Sequence, residues 1–432
     1  MTDEEKYRVQ VPSASIPPGA RGGLSLGAPR LGRGRGRGRG GGTVAGGPGG
    51  PSSRPSQQEV IDGAVRATDD DALGSRLSAI EAGYLPPDPF SRLFLSTHNP
   101  LPSGSQASTP PPTFPVKSSR GSSEARAPAP PSPPPSSLTV QGTRAGAKRP
   151  PIINIGTYLR CRSIDDLVER FLADDAEAGK KKQIISLGAG SDSRFWKLSS
   201  RQEIRDKVEH YMEIDFEQVA RKKIDRIRRS GDLSKALGDE DVQIDEQGTR
   251  LLAPHYSLLS QDLRSLASIE SDLDAIIPDT EAPTLILAEC VLAYLDPRDS
   301  RALLDLLRKK LKRPAAICYE MCIAGPSSTL DGVPAPSRFG NVMLSNLEAR
   351  SLVMPGARSY STPTLHAKRF QDAFGPLTAE EKRGAHAMTL KQVWLELDGA
   401  DRDRISRLEG LDEVEELEIL LDHYAVSWYG IA

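Results

Sequence analysis

The chain has 432 residues, 38% hydrophobic and 26% charged, with 38 Gly and 35 Pro. Those averages hide a division near residue 150: the front carries 18 Lys and Arg against 11 Asp and Glu, a net of +7, and the rear 38 against 47, a net of −9. No run of about 18 apolar residues exists to span a bilayer, the Met1 end is acidic where a signal peptide would be basic and then apolar, and four cysteines are too few for a disulfide scaffold. Composition therefore excludes membrane and disulfide-rich classes and reads as a soluble, intracellular, cytoplasmic chain with reduced thiols. Cys318 and Cys322 stand four apart in CYEMC, but no second Cys or His pair follows at finger-like spacing, so no metal is expected.

Residues 1–57 are rich in Gly, Pro, Ser and Arg, including LGRGRGRGRGGG at 31–42, and offer almost nothing to bury, so a disordered cationic tail is expected. Pattern returns at 58–97, where Leu73, Leu77 and Ile80 recur at helical spacing behind Asp69, Asp70 and Asp71, which predicts a short docked helix. From 98 to 149 the chain is Pro/Ser-rich again and reads as a disordered insertion. From 150 to 432 short apolar runs alternate with helical patterns, the signature of a mainly parallel α/β sheet with helices on both faces. Strands are predicted at Gln183–Leu187, His210–Ile214, Tyr256–Leu259, Thr284–Ala288 and Ala315–Tyr319, with His423–Tyr429 closing the sheet. Helices are predicted at Ser163–Leu172, Phe216–Arg229, Pro297–Leu311, Gly340–Leu352, Leu390–Leu397 and Asp412–Asp422, and Asp296 before Pro297 is a good start signal.

The chemistry sits at the ends of the strands. IISLGAGSDSR puts Gly188 and Gly190 where a buried strand meets a helix, so a ligand can approach bare backbone. A nicotinamide-binding turn would place a third glycine at Ser193, and a phosphate loop would end in Gly-Lys-Ser/Thr; neither is present. YMEID ends in Asp215, where a carboxylate can accept from both hydroxyls of a ribose or cap the next helix. Asp262 follows the third strand and Glu289 the fourth. Acidic residues after three successive strands suit a ligand with a ribose, an adenine and a cationic centre, as in S-adenosylmethionine, better than one with a pyrophosphate. His255, His366 and His423 have no evident Ser or Cys partner, which argues against a hydrolase triad.

In order along the rear, INIGTYLRCRSIDDLVERF, IISLGAGSDSRFWKL, YMEIDFEQVARKK, LLSQDLRSL, PTLILAECVLAYLDP, SRFGNVMLSNLEAR and LDEVEELEILLDHYAVSWY resemble the successive motifs of the leucine carboxyl methyltransferases, with 58–95 included in the likeness. The resemblance implies a class I S-adenosylmethionine-dependent methyltransferase with a seven-stranded sheet. Its implied substrate is the α-carboxylate of the C-terminal leucine on the catalytic subunit of type 2A protein phosphatase. It also implies the site. Arg160 matches the arginine placed at the cofactor and the substrate carboxylate, Gly188 the turn glycine, and Asp215 the ribose-binding aspartate. Asp262 and Leu263 match the adenine contacts, Glu289 the residue beside the methionine moiety, Tyr294 the tyrosine near the substrate carboxylate, and Arg76 a cofactor-binding lysine with its charge kept.

The tail, the Pro/Ser insertion and the GPSSTLDGVPAPS loop at 325–337 are longer than that family's core needs, and a monomer without nucleic-acid partners is expected. A related branch acts on a modified tRNA base and carries a β-propeller after the methyltransferase domain; this chain ends at Ala432 after its last predicted strand, which argues against that branch. The competing readings are a methyltransferase of tRNA or of a small carboxylic acid, a nicotinamide-dependent reductase, and an RNA- or nucleoside-binding protein without turnover.

Overall fold

The computed structural model describes residues 55–95, 148–174, 180–238, 241–327, 332–376, 384–410, 412 and 414–432. The Arg/Gly tail up to residue 54 and the Pro/Ser-rich stretch 96–147, both expected to be disordered, lie outside the described residues, as do residues 328–331 of the long loop.

Among the described residues nine strands form one sheet: β1 (Lys182–Leu187), β2 (Val208–Asp215), β3 (Gln243–Ile244), β4 (Arg250–Ala253), β5 (Tyr256–Ser260), β6 (Pro283–Glu289), β7 (Arg313–Met321), β8 (Ala385–Thr389) and β9 (Tyr424–Tyr429). Their order across the sheet is β3-β4-β5-β2-β1-β6-β7-β9-β8. The five central strands β5, β2, β1, β6 and β7 are parallel, and β9 runs antiparallel between β7 and β8. The expected mainly parallel sheet is present as β5 to β8 across the sheet, and the short β4 and β3 extend it from seven strands to nine.

Each central strand is buried on both faces, and successive residues enter different cores. Ile184 and Leu285 pack into one cluster with Ile164 and Val168 of the helix Pro151–Ala173; Ile185 and Ile286 pack into the other with Leu303 and Leu307 of the helix Pro297–Lys310. Asp296 caps that second helix through Arg298 N at 2.9 Å, with Pro297 in its first turn, as the sequence predicts.

Three predicted helices have different bounds. The short helix at Leu73 is the rear half of α1 (Gln57–Glu81), whose start is a capping box between Ser56 and Glu59 rather than the aspartates at 69–71. The helix predicted from Ser163 starts at Pro151 and is α2 (Pro151–Ala173), so Arg160 lies in mid-helix and not at a turn. The helix predicted to reach Leu352 ends at Glu348, because Ser351 turns to a φ of +62°.

Candidate active site

The carboxyl ends of β1, β2, β5 and β6 open into one cavity of about 370 Å³, and α1 lies across it. This is the crevice where the strand order reverses, β1 leading to β2 on one side and lying against β6 on the other, the usual ligand position in an open α/β sheet. All eight residues singled out from the sequence line it: Arg76, Arg160, Gly188, Asp215, Asp262, Leu263, Glu289 and Tyr294.

The turn after β1 tolerates only glycine at two places. Gly188 has a φ of +60°, and a Cβ there would stand 2.6 Å from Val291 Cγ2; Gly190 has a φ of +50°, and a Cβ there would stand 2.6 Å from Asp69 Oδ1. The Gly190 N–H donates to Asp215 Oδ2 at 2.7 Å, and the Phe216 N–H donates to Asp215 Oδ1 at 2.7 Å. Each carboxylate oxygen keeps acceptor capacity beyond those bonds, which is what two vicinal hydroxyls need. Asp215 does not cap the following helix: the N-cap of Glu217–Arg229 is Phe216. Burial pushes Asp215 up to about 6 against the pull of its two N–H donors.

Asp262 and Leu263 lie after β5, in the wall of the same cavity as Asp215. Asp262 takes both ends of the Arg264 guanidinium, Nε at 2.8 Å and Nη2 at 2.5 Å, and Arg264 Nη2 also reaches Asp62 of α1 at 2.8 Å. The strand-end carboxylate is thereby tied to the helix overhead. Burial acts against its charge, but the hydrogen bonds from Arg264 hold it below the usual carboxylate range.

At the other end of the cavity Glu289 is hydrogen-bonded by Arg160, with Arg194 Nη2 at 3.7 Å and Arg76 Nη2 at 3.9 Å. Asp192 is paired with Arg194 and, at 2.9 Å, with Arg76. Burial opposes ionisation of both carboxyls, but the guanidiniums prevail and hold Asp192 and Glu289 below their ordinary values. Asp165 joins the network, accepting from Arg194 Nε at 2.9 Å and from Lys197 at 2.6 Å. Arg76, Arg160, Arg194 and Lys197 thus face Asp165, Asp192 and Glu289, which leaves one positive charge over and suits one carboxylate from a ligand.

Arg160 also lies over the Tyr319 ring, 5.1 Å from its centroid, and Tyr319 stacks on Tyr424 at 5.7 Å. Tyr294 is half-buried, and burial raises its hydroxyl above the usual range, so it stays a neutral donor. Cys290, also in the cavity wall, is pushed up to about 12 chiefly by burial and stays a thiol. These groups fit S-adenosylmethionine: a two-oxygen acceptor for a ribose, bare glycine backbone, and an arginine-rich end for a carboxylate.

Sequence reasoning missed the roof and half of the charge network. Asp69 of α1 accepts from Ser191 N at 2.6 Å and from Ser191 Oγ at 2.8 Å, on the glycine turn itself. DDD at 69–71 marked it only as a helix start, whereas Asp192 and Arg194, within the quoted GAGSDSR, were findable from their place directly after the turn. His423 does have a serine partner, since its Nε2 lies 2.6 Å from Ser337 Oγ, which corrects the expectation of none. No triad follows: His423 Nδ1 faces the Ile419 carbonyl, and Ser337 Oγ also caps a helix through Gly340 N. Among the described residues no cluster of metal-ligating side chains occurs, and no helix is long and apolar enough to cross a membrane.

The family profile described as leucine carboxyl methyltransferase matches residues 126–308. Leucine carboxyl methyltransferase 1 of Mycosarcoma maydis is 36% identical over 84% of this chain and 77% of its own. The protein of that name in Cryptococcus neoformans is 36% identical over 88% of this chain and 96% of its own, and the Bos taurus one 31% over 65% and 78%. A solved putative methyltransferase from Thermobifida fusca YX is similar over 65% of this chain and 83% of its own, with a TM-score of 0.40 and 16% identity. With relatives of that identity spanning most of its length, the chain belongs to the leucine carboxyl methyltransferase family.

Proposed function

We propose that the chain transfers a methyl group from S-adenosylmethionine to the α-carboxylate of the C-terminal leucine on the catalytic subunit of type 2A protein phosphatase, giving a methyl ester. The observation that carries this reading is that Arg160 and Tyr294 line the same cavity as Asp215 and Glu289, at an end that adjoins an apolar cluster of Ala293, Met321, Leu344 and Met354. A cation and a neutral hydroxyl donor beside an apolar wall fit a carboxylate that carries an aliphatic side chain.

When bound, S-adenosylmethionine supplies an electrophilic methyl group. The α-carboxylate, with a pKa of about 3.3 to 3.7, is already an anion at neutral pH, so this chain needs no general base for it. Arg160 and Tyr294 hold the carboxylate, the Gly188 turn and Asp215 hold the nucleoside, and α1 keeps water from the cavity. Orientation of this kind supplies up to about 7 to 11 kcal/mol of a bimolecular barrier. Cys290, held as a neutral thiol, offers no competing nucleophile.

Four free cysteines fit a reducing compartment, and with a phosphatase as substrate we place the protein in the cytoplasm, as a regulator of that phosphatase. The test is where the methyl group lands. Label carried to the phosphatase and released as methanol by mild base marks an ester; label on tRNA or on small carboxylic acids alone would replace the substrate and keep the fold.

A further inference from the structure

The segment that bears Tyr294 is an irregular turn, and an irregular turn needs something to hold it. After β6 the backbone turns sharply at Cys290, whose φ of +56° is unusual for a side-chain-bearing residue, and it continues to Tyr294 without joining the sheet. Val291 of this turn lies against Gly188, and Gly356 packs on its other side so closely that a Cβ would stand 2.1 Å from the Leu292 carbonyl oxygen. The turn is thus pressed between the cofactor glycine and the segment between β7 and β8.

The turn's backbone is tied at Cys290 to the Tyr319 carbonyl and at Ala293 to Gly356 N, and between these by Glu320, near the end of β7. The Oε1 atom of Glu320 accepts from Val291 N and from Ala293 N, both at 3.1 Å. Glu320 is 1% exposed, lines the cavity, and its Oε2 has no hydrogen-bond partner. Burial pushes its carboxyl above the usual range, and Arg369, 2% exposed and stacked on Tyr360 at 3.6 Å, pulls against that from the helix Pro363–Phe374 without a hydrogen bond to it. No part of the methyl-transfer chemistry described above uses Glu320.

We propose that Glu320 is a positioning residue for methyl transfer: by holding the Val291 and Ala293 N–H groups it sets where Tyr294 stands relative to the Gly188 turn. The assignment rests on the proposed reaction for its kinetic consequence and on geometry for its structural one, so the two are measured separately. Glu320→Asp keeps the charge but withdraws the acceptor by one methylene; Glu320→Gln removes the charge but keeps an acceptor oxygen.

In the full-length protein, hydrogen exchange of the peptide covering 288–296 is measured with the dissociation constant for S-adenosylhomocysteine and the steady-state constants for phosphatase methylation. Glu320→Asp is expected to speed exchange in that peptide and lower kcat at least tenfold, with the dissociation constant within about twofold of wild type, since a misplacement of about 1 Å can cost a hundredfold in rate. Glu320→Gln is expected to restore most of both. Unchanged exchange and kcat in Glu320→Asp, an equal loss in Glu320→Gln, or a parallel loss of S-adenosylhomocysteine binding would overturn the proposal. A wild-type protein that protects 288–296 but leaves the phosphatase unmethylated would instead refute the substrate.

Discussion

Below the cavity, the charges that face the ligand are out of water: Arg194 and Asp192 are 4% and 9% exposed, and Glu289 is 12% exposed among three guanidiniums. Above it, α1 is held at its rim by pairs that water reaches: Lys222 to Asp70 at 2.6 Å, with Asp70 57% exposed, and Arg350 to Asp71 at 2.6 Å, with Arg350 38% exposed. Breaking a buried pair by removing one partner costs about 3 to 5 kcal/mol, whereas an exposed pair contributes about 0 to 1. The floor is therefore fixed, and so is the rear half of α1, which is joined to it by Arg76–Asp192 at 2.9 Å and by Leu73 and Leu77 in the core; only the rim of α1 is held by contacts weak enough to open, as binding a cofactor and releasing its product require.

The largest effect is expected on the floor. Glu289→Ala leaves Arg160 without its carboxylate partner, and it should destabilise the fold by about 3 to 5 kcal/mol in urea unfolding and weaken S-adenosylhomocysteine more than a hundredfold. A variant with unchanged unfolding would show that the floor is not the rigid half. Next, Asp215→Asn should weaken S-adenosylhomocysteine by about ten- to a hundredfold, the range of one or two hydrogen bonds to a charged acceptor.

The same carboxylate sets a pH dependence. Its folded pKa, raised to about 6, lies above the unfolded value of about 3.9, so the stability it confers on the ligand-free protein is present in full below pH 4 and is lost as the pH rises through 6. A ligand whose hydroxyls donate to the carboxylate favours the ionised form. Affinity for S-adenosylhomocysteine should therefore be flat above pH 7 and fall by up to tenfold per unit below about pH 6; calorimetric titration from pH 5 to 8 checks this, and in Asp215→Asn the slope should vanish.

Tyr294→Phe is expected to lower kcat about tenfold at nearly unchanged S-adenosylhomocysteine affinity, since it removes a donor from the proposed substrate end and, besides that, only the hydroxyl's contact with Thr68 of α1. The smallest effect belongs to the roof. Lys222→Ala and Arg350→Ala should each change stability by less than about 1 kcal/mol, yet speed release of S-adenosylhomocysteine in stopped-flow measurements, and salt from 0.05 to about 0.5 M should do the same to wild type. Salt-insensitive release would contradict an ion-paired roof.

Gly188, Asp215 and Glu289 were legible because each ends or directly follows a strand that announces itself, KQIISL, VEHYMEID and PTLILAE, whereas Asp192 and Arg194, just past the same glycine turn, were not singled out. The front half of α1 was not legible, because it sets Asp62, Arg66 and Asp69 beside Ile61 and Val65 on the cavity, and so lacks the continuous apolar stripe that marks a helix against a core. The edge strands β3, β4 and β8 escaped for a related reason: two to five residues long and partly exposed, they carry no continuous apolar run. Glu320 escaped because its partners are backbone N–H groups, which no side-chain pattern reveals.

The most direct test is transfer of labelled methyl from S-adenosylmethionine to purified type 2A phosphatase core enzyme, run beside a copy lacking the terminal leucine, with wild type and with Arg160→Ala. Base-labile label is expected on the intact phosphatase with wild type, none on the truncated copy, and kcat/KM reduced at least a hundredfold in a folded Arg160→Ala. Label on the truncated copy, or full activity in Arg160→Ala, would contradict the proposed function.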